Sequence, residues 1–402
     1  MYWKTLSLFK SKSLTCSFRL IGLIKHTEGL MPRRISGLSE PEKSARKRRG
    51  YGRKGNELDK RKRVRVGNLT LGDGHIYIQS MLNRRADDLS GSVEQALALE
   101  RAGCEIVRAA VPHRENVGLI PAIKEKIKIP LVADIHFDYK LALEAAAAGA
   151  DKIRINPGNI GGEDHVKAVA DECRRRGIPI RVGVNSGSLE KKVLEKYGAP
   201  VPEAFAESAM THVRLLEKFD FDDIVISIKS SDVRTTIAAY RLLAQMCDYP
   251  LHVGVTETGT ERMGVLKSAV GIGSLLCDGI GDTIRISLTA DPIREIEAGR
   301  DLLKAIGIGD GVNIISCPTC GRTQIDLISL TNRIEEATRG IRKKLDIAVM
   351  GCAVNGPGEA READLGVAGG NGEGLLFKKG EILRKVPEER IVEELLREIG
   401  NL

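Results

Sequence analysis

Three cysteines stand in the last quarter of the chain, two as Cys317-Pro318-Thr319-Cys320 and one in Gly351-Cys352-Ala353-Val354-Asn355-Gly356-Pro357-Gly358-Glu359. A Cys-x-x-Cys presents two soft thiolates to one metal centre, and Cys352 adds a third from 32 residues beyond Cys320. Three thiolates leave a four-ligand iron–sulfur cluster one ligand short. Glu359, on the same glycine-rich segment, is the candidate for that place. A carboxylate oxygen holds iron less firmly than thiolate does, so an iron bound in this way could open to a substrate. The chemistry indicated is redox catalysis, not passive electron carriage.

Two other readings of the trio stay open at this level. Structural zinc would close with a fourth Cys or His, and no His follows Cys320 in the chain. A disulfide, or plain burial of the thiols, is the third reading. The other cysteines (Cys16, Cys104, Cys173, Cys247 and Cys277) are scattered singly, several inside apolar runs, and read as small buried hydrophobes.

A second group of chemically capable residues lies upstream, and it recurs with the rhythm of secondary structure. Apolar runs at Tyr77–Met81, Glu105–Val111, Pro130–Ile135, Lys152–Pro157, Ile180–Asn185, Asp223–Lys229, Leu251–Thr258 and Thr283–Leu288 read as strands. Helical stretches such as Ser92–Ala102, Lys140–Ala148 and Asp164–Arg176 separate them, and Gly103, Gly149 and Gly177 follow where a left-handed terminal residue is wanted. Eight strands in strict alternation with helices predict an α/β chain with a (β/α)8 TIM-type barrel. An open doubly wound sheet is the main rival, but no glycine-rich dinucleotide fingerprint follows the first strand.

Side chains two apart on a strand share a face. Near the carboxyl ends this pairs Arg154 with Asn156, Arg181 with Asn185, Ser227 with Lys229 and Arg285 with Ser287, while Arg108, Asp134, His136, Thr256 and Glu257 hold comparable places. Barrel active sites collect at that rim. Cations on five of the strands would repel one another if left uncompensated, which is costly in a low-dielectric site. Their convergence predicts a polyanion, most simply a phosphate or diphosphate ester that arginine can bind bidentately. A structural salt bridge is the alternative for any single member.

The net charge of +8 is unevenly spread over the 402 residues. Residues 1–65 hold 19 Lys and Arg against 5 Asp and Glu, so the remainder is mildly acidic, with 43 basic and 49 acidic groups. The basic blocks Arg46-Lys47-Arg48-Arg49 and Lys60-Arg61-Lys62-Arg63 read as a solvated arm, with nucleic-acid contact as the alternative. Residues 1–30 have the serine-rich, acid-poor composition of an organelle transit peptide, although Met31 is an equally good start. The expected domains are therefore a basic, dispensable and disordered extension over 1–61, a barrel over 62–310 and a cluster domain over 311–402. The last is expected to be a small α+β module: strand Val312–Cys317, cluster loop, helix Thr323–Arg342, strand Leu345–Cys352, glycine loop, two short strands and a closing helix Pro387–Ile399. No run is apolar enough to span a bilayer, and reduced thiols fit a cytoplasmic protein with neither membrane nor nucleic-acid partners.

These motifs resemble those of the 4-hydroxy-3-methylbut-2-enyl diphosphate synthase family. Cys-Pro-Thr-Cys-Gly-Arg at 317–322 and Gly-Cys-Ala-Val-Asn-Gly-Pro-Gly-Glu-Ala at 351–360 match its cluster motifs. Further matches are Ile78-Gln79-Ser80-Met81, Val132-Ala133-Asp134-Ile135-His136-Phe137, Arg154-Ile155-Asn156-Pro157-Gly158-Asn159-Ile160-Gly161, Gly183-Val184-Asn185-Ser186-Gly187-Ser188-Leu189, Thr256-Glu257-Thr258-Gly259 and Arg285-Ile286-Ser287. The resemblance runs from about residue 62 to the end.

The resemblance implies a two-electron reduction of 2-C-methyl-D-erythritol 2,4-cyclodiphosphate to the allylic diphosphate, in the methylerythritol phosphate route to isoprenoids. It implies a [4Fe–4S] cluster on Cys317, Cys320 and Cys352, with Glu359 on the fourth iron until substrate oxygen displaces it. Arg108, Arg154, Arg181, Lys229, Arg285 and Ser287 match the diphosphate grip, with Asn156 and Asn185 assisting. Glu257 matches the proton donor, with Asp134 and His136 nearby, and burial would suit it by raising its pKa. The resemblance also implies a homodimer, in which one protomer's cluster domain covers its partner's barrel, and flavodoxin or ferredoxin as electron donor. Residues 1–61 have no counterpart in the family pattern, and the barrel runs into the cluster domain without the middle domain of plant-type members. That favours the bacterial, two-domain type. Two other hypotheses account for less: a pterin-binding synthase or methyltransferase leaves the cysteines idle, and an electron carrier with an RNA-contacting arm leaves the rim cations unexplained.

Overall fold

The computed structural model describes residues 61–352, 358 and 361–402. It begins with a short antiparallel hairpin, β1 (Val64–Val66) and β2 (Leu69–Leu71). Val64, Val66 and Leu71 of the hairpin are fully buried against Tyr77, Ile106, Val132 and Val225 from the amino-terminal ends of the strands that follow. The hairpin is thus an apolar floor beneath the barrel. Two residues of the basic block expected in a solvated arm belong to this region: Arg61 Nη1 donates to the carbonyl of Tyr249 at 3.1 Å, and Lys62 N to that of Asp248 at 2.8 Å.

Eight parallel strands build the barrel: β3 (Tyr77–Met81), β4 (Ile106–Ala110), β5 (Leu131–Asp134), β6 (Lys152–Ile155), β7 (Ile180–Asn185), β8 (Ile224–Lys229), β9 (His252–Val253) and β10 (Thr283–Ile284). Their order is β8-β7-β6-β5-β4-β3-β10-β9, and a parallel bridge between Ile226 and Leu251 joins the two ends of that series. The sheet is therefore closed, and the (β/α)8 expectation holds against the open doubly wound rival. At the seam between β8 and β9, the hydroxyl of Tyr240 accepts from Ile228 N at 2.9 Å and donates to the His252 carbonyl at 2.5 Å. One buried phenol does there what a strand ladder does elsewhere.

The connecting helices are α1 (Leu89–Ala102), α2 (Leu119–Lys126), α3 (Tyr139–Ala147), α4 (Glu163–Arg176), α5 (Lys191–Tyr197), α6 (Pro202–Glu217), α7 (Val233–Met246), α8 (Glu261–Cys277) and α9 (Pro292–Ala305). Asp88 caps α1 by accepting from Gly91 N at 2.9 Å, which starts that helix three residues before the sequence expectation. Gly103 and Gly177 close α1 and α4 with φ of 94° and 65°, in the left-handed region that favours glycine. Outward strand residues such as Val107, Ala133, Ile153, Val182 and Ile226 pack against the helices as one continuous core.

The last two barrel strands are shorter than the sequence predicts. β9 stops at Val253 and β10 at Ile284, so Thr256, Glu257, Arg285 and Ser287 lie on irregular backbone beyond them. Glu257 has φ of 53°, which breaks the extended run.

The carboxy-terminal module is a five-stranded sheet of β11 (Val312–Ser316), β12 (Leu345–Met350), β13 (Leu365–Gly369), β14 (Glu373–Lys378) and β15 (Glu381–Pro387) in sequential order. The first three run parallel and the last two antiparallel. α10 (Leu327–Thr338) and α11 (Ile391–Gly400) cover one face through Leu330, Ile334, Ile391 and Leu395. Three strands follow the glycine loop where two were expected, because residues 381–387 pair with β14, and the last helix starts at Ile391 and not at Pro387. α10 is also shorter than the expected 323–342: Asp326 caps it by accepting from Ser329 N, and Thr323 and Gln324 are held by hydrogen bonds to Cys320 and Gly351 carbonyls. No described helix is long and apolar enough to cross a membrane.

Candidate active site

Alternation along the barrel strands sends Gln79, Arg108, Asp134, Lys152, Arg154, Arg181, Ser227, Lys229 and His252 inward. Barrel interiors are ordinarily packed with branched apolar side chains. Here only the floor is apolar. Above it the interior is polar and strongly cationic.

Asp134 is the hub of one side. Its carboxylate is fully buried and meets Arg108 Nη2 at 2.6 Å, Arg154 Nη1 at 3.2 Å and His136 Nε2 at 3.5 Å. Burial alone would push its carboxyl up, but Arg108, Arg154 and His136 outweigh that and hold it well below the usual carboxylate range. Asp134 therefore stays an anion that aims two guanidiniums. Arg154 also crosses the face of β7, donating from Nη2 to the Gly183 carbonyl at 3.4 Å. A Cβ at position 183 would sit 2.5 Å from Arg154 Nε, so only glycine lets the arginine lie there.

Arg285 has its own carboxylate, Glu295, which takes Nε and Nη2 at 3.1 Å each. For Arg108, Arg154 and Arg285 the salt-bridge alternative is thus partly realised. It is not realised for Arg181, Lys229 or Lys152, which have no carboxylate partner among the described residues. Arg181 is 1% exposed, touches Gln79 Oε1 at 3.5 Å through Nη1, and leaves Nε without a partner. Burial first, then the neighbouring Arg285, Arg108, Arg181 and Arg154, drives the Lys229 amine well below its ordinary value. Lys152 responds in the same direction to burial, Arg181 and Arg108. A glycine again makes room: a Cβ at Gly254 would meet the Arg285 carbonyl at 2.8 Å and Lys229 Nζ at 3.3 Å.

The remaining rim residues differ in setting. Asn156 is buried, accepts from Gly158 N at 3.1 Å and leaves its Nδ2 donor unused. Asn185 is exposed, with its backbone N bonded to Ser188 Oγ at 3.0 Å. Ser287 is half-buried, and its carbonyl accepts from Thr258. His136 and Glu257 are exposed. The burial expected at Glu257 is not supplied by the described residues; its left-handed backbone is the sort of strain that functional loops hold.

Three interior residues were not singled out from sequence. Lys152 shares the face of Arg154 and Asn156, and that spacing was the available signal. His252 is fully buried, paired through Nδ1 with Thr283 Oγ1 at 2.8 Å, and held neutral by burial and by Arg181, Lys229 and Lys152. Glu295 lies in a helix, where no strand alternation flags it.

In the carboxy-terminal module, Cys317 follows β11 and Cys352 follows β12, at the same end of two adjacent parallel strands that pair as far as Ser316 with Val349. Cys320 lies on the turn after Cys317, held by its N bonded to Thr323 Oγ1 at 3.2 Å. Gly351 N donates to Cys317 Sγ at 3.2 Å. The Arg322 backbone N–H, and secondarily its guanidinium, draw the Cys320 thiol below its ordinary value, toward the thiolate that iron requires. All three cysteines are free of disulfides, which sets aside the disulfide reading for them. Among the described residues no trio of Cys, His, Asp or Glu is drawn tightly enough to grip a single metal ion. Three thiols around one sheet end suit a larger inorganic core. Glu359 lies outside the described residues.

Comparison with known proteins agrees in both halves. A family profile described as the GcpE TIM-barrel domain matches residues 61–300, and one described as the GcpE protein C-terminal domain matches 313–401. A protein of Caldicellulosiruptor saccharolyticus named 4-hydroxy-3-methylbut-2-en-1-yl diphosphate synthase (flavodoxin) is 58% identical over 342 residues, covering 85% of this chain and 99% of its own. Proteins of the same name from Geobacillus thermodenitrificans and Clostridium perfringens are 57% and 56% identical, covering 84% and 85% of this chain and 91% and 98% of their own.

A buried amine with no partner, among like charges, is expensive to keep. Replacing Lys152 with Met should therefore raise stability by about 1–3 kcal/mol at pH 7, as when buried ions give way to apolar groups of similar size. Between its depressed value and 10.5, the native Lys152 binds fewer protons than the unfolded chain, so wild-type stability rises with pH across that window. The advantage of the variant should shrink as pH is raised from 7 to 9.5. Urea midpoints at the two pH values check this; a less stable Lys152→Met protein would contradict it.

Proposed function

This chain belongs to the GcpE family, and we propose that it reduces 2-C-methyl-D-erythritol 2,4-cyclodiphosphate to (E)-4-hydroxy-3-methylbut-2-enyl diphosphate, a step in isoprenoid precursor synthesis. The observation that carries the reading is the surplus of buried cations beneath the barrel rim. A diphosphate supplies the negative charge that Asp134 and Glu295 leave unmatched. In the reaction two electrons enter, the bond from the ring carbon to a diphosphate oxygen breaks, and a hydroxyl leaves as water.

Arg181 and Lys229, without carboxylates of their own, bind the diphosphate most strongly. Arg108, Arg154 and Arg285 add donors whose directions Asp134 and Glu295 have already set, so little orientation is lost on binding. Ser287, Asn156 Nδ2 and Asn185 complete the donor set. The negative charge of the bound anion favours the ammonium form of Lys229 and so opposes the effect of burial and of its cationic neighbours. Glu257, at the rim, donates the proton that turns the departing hydroxyl into water, with His136 and Asp134 on the facing strand end. Glu257 faces solvent, and a cover over the rim would exclude water from the proton transfer.

The homodimer implied by family resemblance provides such a cover, with the cluster domain of one protomer over the barrel of its partner. Phe137, 73% exposed beside His136, is an aromatic suited to a covered rim. A [4Fe–4S] cluster on Cys317, Cys320 and Cys352, with Glu359 as the weaker oxygen ligand, would supply the reducing electrons. Flavodoxin, which the relatives' names specify, or ferredoxin would recharge it in a reducing, cytoplasmic setting.

Anaerobically purified protein should contain about four iron and four sulfide per chain, as a cubane requires. Glu359→Ala should keep much of that iron but lose turnover, whereas Cys352→Ala should lose both. Stoichiometric zinc in place of iron, or equal iron loss in the two variants, would contradict the ligand assignment. Glu257→Gln should bind the cyclic diphosphate normally and make product about 100-fold more slowly, the usual scale of a lost general acid. Unchanged single-turnover rates would place the proton donor elsewhere.

A further inference from the structure

We infer that Glu295 is the positioning residue for Arg285, and that it sets the affinity of the site for the diphosphate while taking no part in bond breaking. The inference rests on the substrate assigned above.

Glu295 sits in the first turn of α9, where the helix dipole favours a carboxylate, and it is 3% exposed. Its two oxygens receive four donors. Oε2 accepts from Ser80 Oγ at 2.8 Å and Arg285 Nε at 3.1 Å; Oε1 accepts from Arg285 Nη2 at 3.1 Å and Leu288 N at 3.1 Å. These donors come from β3, from the backbone just past β10 and from the loop into α9. β3 and β10 are paired neighbours in the barrel, Tyr77 opposite Thr283. One carboxylate therefore ties the backbone of the barrel's first strand to that of its last at the rim, and it fixes both ends of the segment that carries Ser287.

The geometry divides the arginine. Its Nε–Nη2 edge is consumed by the bidentate pair. Nη1 keeps only a weak approach to Met81 Sδ at 3.6 Å. The Nη1 donors and the second N–H of Nη2 are left for a ligand, and their direction is dictated by the locked edge.

Electrostatics and positioning predict opposite signs here. Glu295 is a negative charge beside an anion site, so removing it should tighten anion binding if charge were its only influence. If its role is to hold the guanidinium in place, removing the charge should weaken binding. Global damage to the fold would instead lower kcat and stability together without sparing either.

The test measures cyclic diphosphate binding by calorimetry and anaerobic turnover with a chemical reductant, using the holoenzyme. For Glu295→Gln the dissociation constant and KM should rise about tenfold, the scale expected when a preorganised charged hydrogen bond is lost, with kcat within about threefold of wild type. Glu295→Asp should recover part of the loss. In an Arg285→Ala background, Glu295→Gln should change binding by less than about twofold, because the residue it positions is gone. If Glu295→Gln does not fold, the aspartate variant, alone and with Arg285→Ala, carries the same comparison. Binding as tight as wild type, or an equal further loss in the Arg285→Ala background, overturns the positioning role. Wild-type protein that fails to bind the cyclic diphosphate overturns the substrate assignment itself, a result distinct from either.

Discussion

Repulsion among buried cations governs the upper half of this barrel. Arg108, Lys152, Arg154, Arg181, Lys229 and Arg285 converge where most barrels of this type place valine, isoleucine and leucine. Asp134 answers two of them and Glu295 one. No described carboxylate answers the rest: the crowding drives the Lys152 and Lys229 amines well below their ordinary values, and Arg181 Nε and Asn156 Nδ2 are left without acceptors. Each of these arrangements costs stability in the empty protein. Under the proposed function, a bound diphosphate would turn that repulsion into attraction.

The remainder of the fold makes that tension tolerable. The β1–β2 hairpin shifts the apolar packing of the barrel to its floor, so the interior above need not be filled with hydrocarbon. Tyr240 secures the seam between β8 and β9, the strands that carry Lys229 and His252, through two backbone hydrogen bonds. Gly183 and Gly254 remove side chains where Arg154 and Lys229 must pass. The outward faces of the strands form an ordinary aliphatic core with the helices, and they supply the bulk of the stabilisation.

Much of this was legible in the sequence. Strand and helix periods are local, so the barrel could be read from apolar runs and from the glycines that end helices. The rim arginines were legible because polar side chains an even number of residues apart on a strand, as Arg154 and Asn156 are, share its face. Lys152 was passed over although it obeys the same rule, since a lysine at a strand's start is ordinarily solvated; only closure of the barrel buries it. Glu295 was invisible because it lies on a helix, where strand alternation says nothing, and its partners meet it only through the closed barrel, as Ser80 does from 215 residues away; the His252–Thr283 pair likewise joins neighbouring strands. The irregular ends of β9 and β10 were missed for a related reason: the left-handed Glu257 is imposed by its surroundings and not by its own propensity.

The central claim is that the cationic interior exists for a diphosphate. It is tested most directly by the thermal midpoint of the anaerobic protein with increasing 2-C-methyl-D-erythritol 2,4-cyclodiphosphate, compared with the uncharged 2-C-methyl-D-erythritol. A ligand present at about 100 times its dissociation constant adds about 2.7 kcal/mol. The account predicts a rise of several degrees with the cyclic diphosphate, and none with the neutral polyol. Equal shifts from both compounds, or no shift from either, would contradict it.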